Sequence, residues 1–488
     1  MKIEEIDQVV LIMPDVPSWK NGARELTKSF FPNAKVVFEG AGDLVIQTTV
    51  QSDQIVFAAQ FDQQELKRET YRISEKPVDS NEFKGFFYRF MSDIASHTLP
   101  WGSLTGIKPV KITHELLLQN RHDEALALKD FKDQYFVSTE KAELALDIAK
   151  NEMPIVYPND SKKISLYIGV PICPAKCAYC SFVSTVADKK GKLCADYLRA
   201  LLIEIRAFAE LIRDQRLSID TLYIGGGTPS IFSAEQLDAL LKAVSSEFDL
   251  SNIREFTFEA GRPETTTLEK LKLLKQYHVN RLCLNPQSMN DATLRAVGRL
   301  HTAEDIRNVY QMIREIGFDC VNMDLIVGLN EERPEIVLSS LQKVIQLHPE
   351  NLTVHSLAIK KGSRLREEEG CQYEQIYSKD FYDEISNRLK SSEYRPYYLY
   401  RQKYAQGNGE NIGYCLNGSE GIYNILMMAE RQTIIGIGAG ATGKVYHPEQ
   451  NRLNKVYTVK DIRTYNARAE EIIAKKIKAY RQYLEMDD

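Results

Sequence analysis

Three of the chain's eight cysteines, Cys173, Cys177 and Cys180, fall inside the single stretch PICPAKCAYCSF, Pro171 to Phe182. A disulfide framework needs partners, and three is an odd number. A tetrahedral zinc site needs a fourth ligand; a distant histidine would have to supply it, and the spacing matches zinc motifs poorly. Thiolates are equally suited to iron–sulfur clusters. Spaced C-x₃-C-x₂-C, they can hold three irons of a 4Fe–4S cube and leave the fourth iron open to an exogenous ligand. The remaining cysteines, Cys194, Cys283, Cys320, Cys371 and Cys415, share no spacing. They read as buried small hydrophobes in a reducing compartment.

Such a loop needs a rigid frame. From Ile164 the chain alternates apolar, strand-like runs (ISLYIGV, IDTLYIG, REFTFEA, VNRLCLN, CVNMDLIVG, ENLTVHSLA) with helical stretches at 194–213, 234–248, 266–278, 303–316 and 334–348. Repeated βα units imply a parallel sheet with helices outside it. Six units suffice for an open, partial (β/α)6 barrel, whose chemistry belongs at the C-terminal ends of the strands. The cysteine triplet follows the first strand, at that end.

The expected fold is α/β in three parts: an N-terminal α+β domain over 1–157, the partial barrel over 164–392, and a mixed α/β, substrate-covering region over 393–488. In the first part, DLVIQTTVQSDQIVFAAQF predicts a hairpin, and NEFKGFFYRFMSDI puts Phe83, Phe86, Phe87, Phe90, Met91 and Ile94 on one helical packing face. PWGSLTGIKP, Pro100 to Pro109, is a turn-rich loop. PNDSKK, Pro158 to Lys163, is the joint before the barrel. At 488 residues, 43% hydrophobic and 26% charged, the chain has the composition of a globular protein with two or three domains. A net charge of −5 gives no support to nucleic-acid binding. MKIEEIDQVV lacks a signal-peptide core, and no apolar run has the ~20 residues of a membrane span. The reading is cytosolic.

Further motifs line up behind the cysteines: YIGV (167–170), GGGTPS (225–230), FEAGRPE (258–264), NPQSMNDATLRAVGRLH (285–301) and NMDLIVGL (322–329). Together with C-x₃-C-x₂-C after a first barrel strand, they resemble the radical S-adenosylmethionine (SAM) superfamily. Their order is similar to the oxygen-independent coproporphyrinogen III oxidase family, over about Tyr167 to Ala358. The long N-terminal part, YYLYRQK and IIGIGAGA look most like its HemZ-type, coproporphyrinogen dehydrogenase branch.

That resemblance implies a 4Fe–4S cluster on Cys173, Cys177 and Cys180, with SAM on the open iron, and allows for a second SAM. It implies that Tyr179 lies beside the adenine and that Gly226, Gly227 and Thr228 hold the amino end. Glu259 would contact SAM, and Gln287, Arg299 and Asp324 would line its sites. Ala358 and Thr442 match weaker contacts, and Tyr167 would reach the sulfonium region. Tyr167 and Glu259 are the expected catalytic residues. The side chains suit these roles. Glycines let backbone approach a ligand, a guanidinium pairs bidentately with a carboxylate, and Asp324 interrupts an otherwise apolar strand, where a carboxylate needs a partner.

Two decoys stand apart. GIGAGATGK, Gly436 to Lys444, contains G-x₄-G-K, but Val445 replaces the Ser or Thr of a P-loop. It reads as a turn against the barrel mouth. His355 ends a strand near the mouth and is left without a role. Two departures from the family are also visible. The oxidase carries a fourth cysteine two residues after the third, where this chain has Phe182. The related haem chaperones carry H-N-x-x-Y-W, where this chain has ENIGYC, with Glu410 and Cys415 at its ends. The implied activity is oxidative decarboxylation of coproporphyrinogen III to protoporphyrinogen IX, with a porphyrinogen substrate and an electron donor such as flavodoxin or ferredoxin. The rivals are a haem-binding or haem-delivery protein that keeps the cluster, and a radical enzyme acting on another tetrapyrrole.

Overall fold

The computed structural model describes residues 6–74, 78–105, 108–182, 184–358, 377–402 and 409–486; Gly106, Ile107 and Cys371 lie outside them. The chain divides into two compact units. One is built on residues up to Lys150 together with described residues of Tyr400–Glu410, and the other on residues from Asn151 onward.

In the first unit five strands, β1 (Gln8–Ile12), β2 (Lys35–Val37), β3 (Leu44–Gln51), β4 (Gln54–Phe61) and β5 (Gln64–Arg72), form a sheet in the order β2-β1-β3-β4-β5. The expected hairpin is β3–β4, antiparallel in register from Leu44↔Phe61 to Gln51↔Gln54. The helix Ser80–Ala95 starts where the Asp79 carboxylate accepts from Asn81 N–H. Its face of Phe83, Phe87, Phe90 and Met91 is fully buried, with Trp19 stacked on Phe83 at 4.5 Å. In the PWGSLT turn, Gly102 has φ +55°, and a Cβ there would lie 2.0 Å from the Tyr135 carbonyl oxygen.

In the second unit the six anticipated strands are β6 (Lys163–Val170), then, after the short β7 (Ile172–Cys173) and β8 (Thr185–Val186), β9 (Ser218–Gly226), β10 (Glu255–Gly261), β11 (Arg281–Leu284), β12 (Val321–Val327) and β13 (Asn351–Ser356). They run parallel and neighbour one another in chain order. Between them lie the helices Lys192–Asp214, Ala234–Glu247, Leu268–Gln276, Ala303–Ile316 and Pro334–Leu347. Local signals fix their ends: capping boxes at Ser233/Gln236 and Thr302/Asp305, and Gly317 at φ +89° after Ile316.

The last region joins the same sheet. β14 (Arg395–Arg401) and β15 (Glu410–Cys415) extend it beyond β13, and β16 (Thr433–Ile437), β17 (Gly443–His447) and β18 (Arg452–Val456) extend it beyond β6. β16 lies parallel to β6, with Thr433 opposite Ile164 and Ile437 opposite Ile168. It is a seventh parallel strand, which the sequence reading did not anticipate.

Period-two alternation sorts the strand residues. Ile164, Leu166, Ile168, Leu222, Ile224, Phe256, Phe258, Met323 and Leu325 pack against the helices in the core. The opposite, inner face carries polar side chains, among them Ser165, Tyr167, Tyr223, Glu259 and Asp324. At the N-terminal ends of the strands this face is closed by the chain before the helix Ile422–Ala429. Glu255, first in β10, accepts from Ile422 N–H (2.6 Å) and Tyr423 N–H (3.2 Å). Arg281, first in β11, donates to the carbonyls of Ser419 (3.0 Å) and Glu420 (2.8 Å). The mouth at the C-terminal ends stays polar. No helix among the described residues is long and apolar enough to cross a membrane.

Candidate active site

The cysteine loop grows from the end of β6. After Pro171, β7 pairs with β8, Cys173 opposite Val186, and the loop between them carries Cys177 and Cys180. Thr185 N–H to Pro171 O and Ala187 N–H to Cys173 O, both 2.9 Å, close it. Ala178 N–H anchors its middle to Val297 O at 3.0 Å. Cys173 and Cys177 are buried and Cys180 is half-buried. Among the described residues no three His, Cys, Asp or Glu side chains are gathered to hold a metal ion. Such loops commonly close on their metal, and the three thiols here share one tethered segment. Half-buried Tyr179 lies beside Cys177 and Arg299; burial pushes its phenol up, against the pull of the Arg299 charge.

The glycine triplet is bonded to the root of that loop. Gly227 N–H donates to Val170 O (2.9 Å) and Thr228 N–H to Ile172 O (2.8 Å). A Cβ on Gly227 would lie 2.7 Å from the Ile172 carbonyl oxygen. Gly226 has φ +112°, and its N–H donates to Glu259 Oε2 at 2.9 Å. Glu259, on β10, also accepts from the Tyr223 hydroxyl through Oε1 at 2.6 Å. Burial pushes the Glu259 carboxyl up to about 7, against those two hydrogen bonds and with help from the Asp324 charge. Tyr223 stacks on Tyr423 at 4.7 Å and on Tyr167 at 6.1 Å, so three phenols floor the mouth.

On the far side, Asp324 accepts from Asn322 Nδ2 at 2.8 Å and faces His355 Nε2 at 3.9 Å. Burial raises its carboxyl, but His355 and Asn322 outweigh that and hold it below the usual range. Gln287 stands in the left-handed region at φ 67°, bracketed by Gln287 N–H to Asp324 O and Ile326 N–H to Gln287 O, both 2.9 Å. Its buried Oε1 has no hydrogen-bond partner, and neither has Asn285 Oδ1 or Arg299 Nε. Arg299 spends Nη2 on the Asn285 carbonyl. Ala358 is buried just after β13, and Thr442 is half-buried between β16 and β17. Gly436–Lys444 forms the end of β16 and a turn with Gly438 and Gly440 at positive φ, and Lys444 Nζ pairs with Glu430 at 3.4 Å.

These residues fit the implied groups. Three soft donors share one loop, backbone lies bare where a side chain would clash, and buried polar atoms at Asn285, Gln287 and Arg299 await partners. The sequence reading passed over three contributors. Tyr223 could have been found from strand parity, two residues before Gly225. Arg262, inside FEAGRPE, reaches Cys177, and Tyr423 arrives from a distant helix without a local signal.

Residues 167–341 match the model of the radical SAM superfamily. The chain is 38% identical over 427 residues to the oxygen-independent coproporphyrinogen-III oxidase-like protein HemZ of Bacillus subtilis (strain 168), covering 85% of this chain and 84% of that protein. It is 30% identical over 321 residues to the heme chaperone HemW of Lactococcus lactis, covering 64% of this chain and 79% of that protein. Among solved structures, coproporphyrinogen III oxidase (HemN) from Escherichia coli shares the fold, with TM-score 0.53 and 23% identity over 67% of this chain and 73% of that one. The chain belongs to the radical SAM superfamily and is a radical SAM enzyme, which implies a 4Fe–4S cluster and SAM. Within the superfamily it falls in the tetrapyrrole-associated branch, close to the HemZ, coproporphyrinogen-III oxidase-like proteins.

Proposed function

We propose that the enzyme carries out the oxygen-independent oxidative decarboxylation of coproporphyrinogen III to protoporphyrinogen IX. One observation carries the reading. A three-cysteine loop, a glycine triplet bonded to its root, and the carboxylates Glu259 and Asp324 meet at one end of a parallel sheet. The 38% identity to a coproporphyrinogen-III oxidase-like protein supports the substrate class.

In this reading Cys173, Cys177 and Cys180 hold the cluster, and Tyr179 lies along the adenine. Gly226, Gly227 and Thr228 hold the amino end of SAM, whose charge would favour the ionised form of Glu259. Arg299 turns its unpartnered Nε to the carboxylate. Gln287, Asp324, Ala358 and Thr442 complete the lining and would contact a second SAM. When bound, cluster and SAM supply a carbon-centred radical that removes one hydrogen atom from the substrate. The chain's work is to orient the ligands and exclude water, with Tyr167, Tyr223 and Tyr423 as the floor and the Gly438–Thr442 turn as part of the cover. Each propionate, having lost a hydrogen atom beside its ring, releases carbon dioxide and passes one electron to an external acceptor, leaving a vinyl group. A donor such as flavodoxin or ferredoxin supplies the low-potential electron.

The deciding experiment uses anaerobic protein reconstituted with iron and sulfide, then supplied with reductant, SAM and coproporphyrinogen III. SAM cleavage should rise with substrate, two SAM should be consumed per porphyrinogen, and a one-vinyl intermediate should appear early. Cleavage without carbon dioxide or vinyl product would overturn the substrate assignment.

A second reading, haem delivery, is favoured by Phe182. It stands where the oxidase has its fourth cysteine and is 74% exposed, and the chain is also similar to a heme chaperone. Stoichiometric haem uptake without porphyrinogen turnover would select it.

A further inference from the structure

The exit of β10 is built to present one guanidinium to the cysteine loop. Pairing with β11 shifts between Glu259 and Gly261, leaving Ala260 as an extra residue, and Gly261 turns through φ +56°. Bulges of this kind re-aim the next side chain. The re-aimed segment is then pinned. The Ser230 and Thr266 hydroxyls donate to Ala260 O at 2.7 and 3.2 Å, and the Thr265 and Thr266 hydroxyls donate to Arg262 O, both at 3.0 Å.

Arg262 itself is 5% exposed. Its Nη2 donates to Ala175 O at 2.8 Å and to Cys177 Sγ at 3.0 Å, while Nη1 stands 3.4 Å from Glu264. Glu264 is shared with His301, 3.5 Å away. Glu264 is the carboxylate partner of this buried guanidinium, and its N–H···S bond becomes charge-assisted, and stronger, when the sulfur is a thiolate.

We propose that Arg262 is the positioning residue of the cysteine loop and sets how readily the group held by its thiolates takes up an electron. The inference rests on the reading of Cys173, Cys177 and Cys180 as cluster ligands. A cationic N–H···S bond stabilises negative charge on sulfur, and it does so more as an electron is added. Hydrogen bonds to sulfur and burial are established levers on iron–sulfur potentials. The electron comes from an external low-potential donor, and no bond is made or broken.

The test compares wild type, Arg262→Gln and Arg262→Lys after anaerobic reconstitution, reading iron and sulfide per chain and a potentiometric titration followed by EPR. Arg262→Gln should keep its iron, while its reduced-to-oxidised ratio at a fixed poise falls about tenfold, equal to about 59 mV for a one-electron couple. Arg262→Lys keeps the charge without the fork and should fall between. An unchanged potential in iron-replete Arg262→Gln overturns the proposal. So does loss of iron from both variants with the potential of the residual cluster unmoved. A wild type that takes up no iron, or a Cys177→Ala variant that keeps a full complement, would instead refute the ligand reading itself.

Discussion

Tyr223 on β9 donates its hydroxyl hydrogen to Glu259 on β10 at 2.6 Å, and the same carboxylate accepts Gly226 N–H at 2.9 Å. Even with both bonds made, burial leaves the carboxyl titrating near 7 instead of 4.5. The folded state therefore keeps this proton to higher pH than the unfolded chain does. The carboxyl's contribution to stability falls as pH rises from about 4.5 to about 7. Glu259→Gln should remove this part of the fall, on the order of 3 kcal/mol at the upper end. Denaturant midpoints at pH 5 and pH 8 for both proteins check it. Parallel pH profiles would place the titration elsewhere.

Gly227→Ala tests the contact between the glycine triplet and the loop root. The new Cβ would meet Ile172 O, Ile172 N and Val170 O at 2.7–2.8 Å, all backbone, so the chain feeding Cys173 has to move. Overpacking of this sort costs about 1–3 kcal/mol. Iron incorporation should drop along with the melting temperature. Gly191→Ala is the control: nothing lies within 4 Å of its Cβ, so its φ of +68° should cost about 1 kcal/mol without affecting iron.

Lys476→Met tests the attachment of the last helix. Lys476 Nζ lies 2.5 Å from Glu204 Oε1, both side chains are almost wholly buried, and Glu204 also accepts from Gly438 N–H at 2.8 Å. Removing the lysine leaves a buried carboxylate uncompensated, which should cost about 3–5 kcal/mol. Glu204→Gln/Lys476→Met should recover part of that. Chemical denaturation of the two variants gives the comparison.

The barrel was legible wherever alternation is strong. VNMDLIVG and REFTFEA announce themselves because every second side chain packs on helices. TIIGI escaped because Gly436 interrupts its apolar run and its partner, β6, lies so far back in the chain. Within the site, the cysteines and glycines could be read from type and spacing. Arg262 could not, because its role depends on a bulge at Ala260 that composition does not signal. The Tyr223–Tyr423 stack needs two segments about 200 residues apart, a contact that local sequence does not encode. Nor does sequence show that Ser419 and Glu420 close the barrel end away from the mouth.

The pairing of β6 with β16 sets an order of events during synthesis. β9 to β13 can align as they leave the ribosome, but β6 stays an open edge until Thr433–Ile437 emerges, about 270 residues after its partner. Such distant pairing is slow, and a bare, apolar edge invites association with other chains. The segment that follows, Gly438 to Ala441, lies beside Gly169 near the root of the cysteine loop, with Ala441 Cβ 3.5 Å from where a Cβ on Gly169 would stand. This side of the mouth is thus finished only after β9 to β13 are in place. A chain released before residue 433 would carry every cysteine of the triplet and still leave the first barrel strand paired with β9 alone.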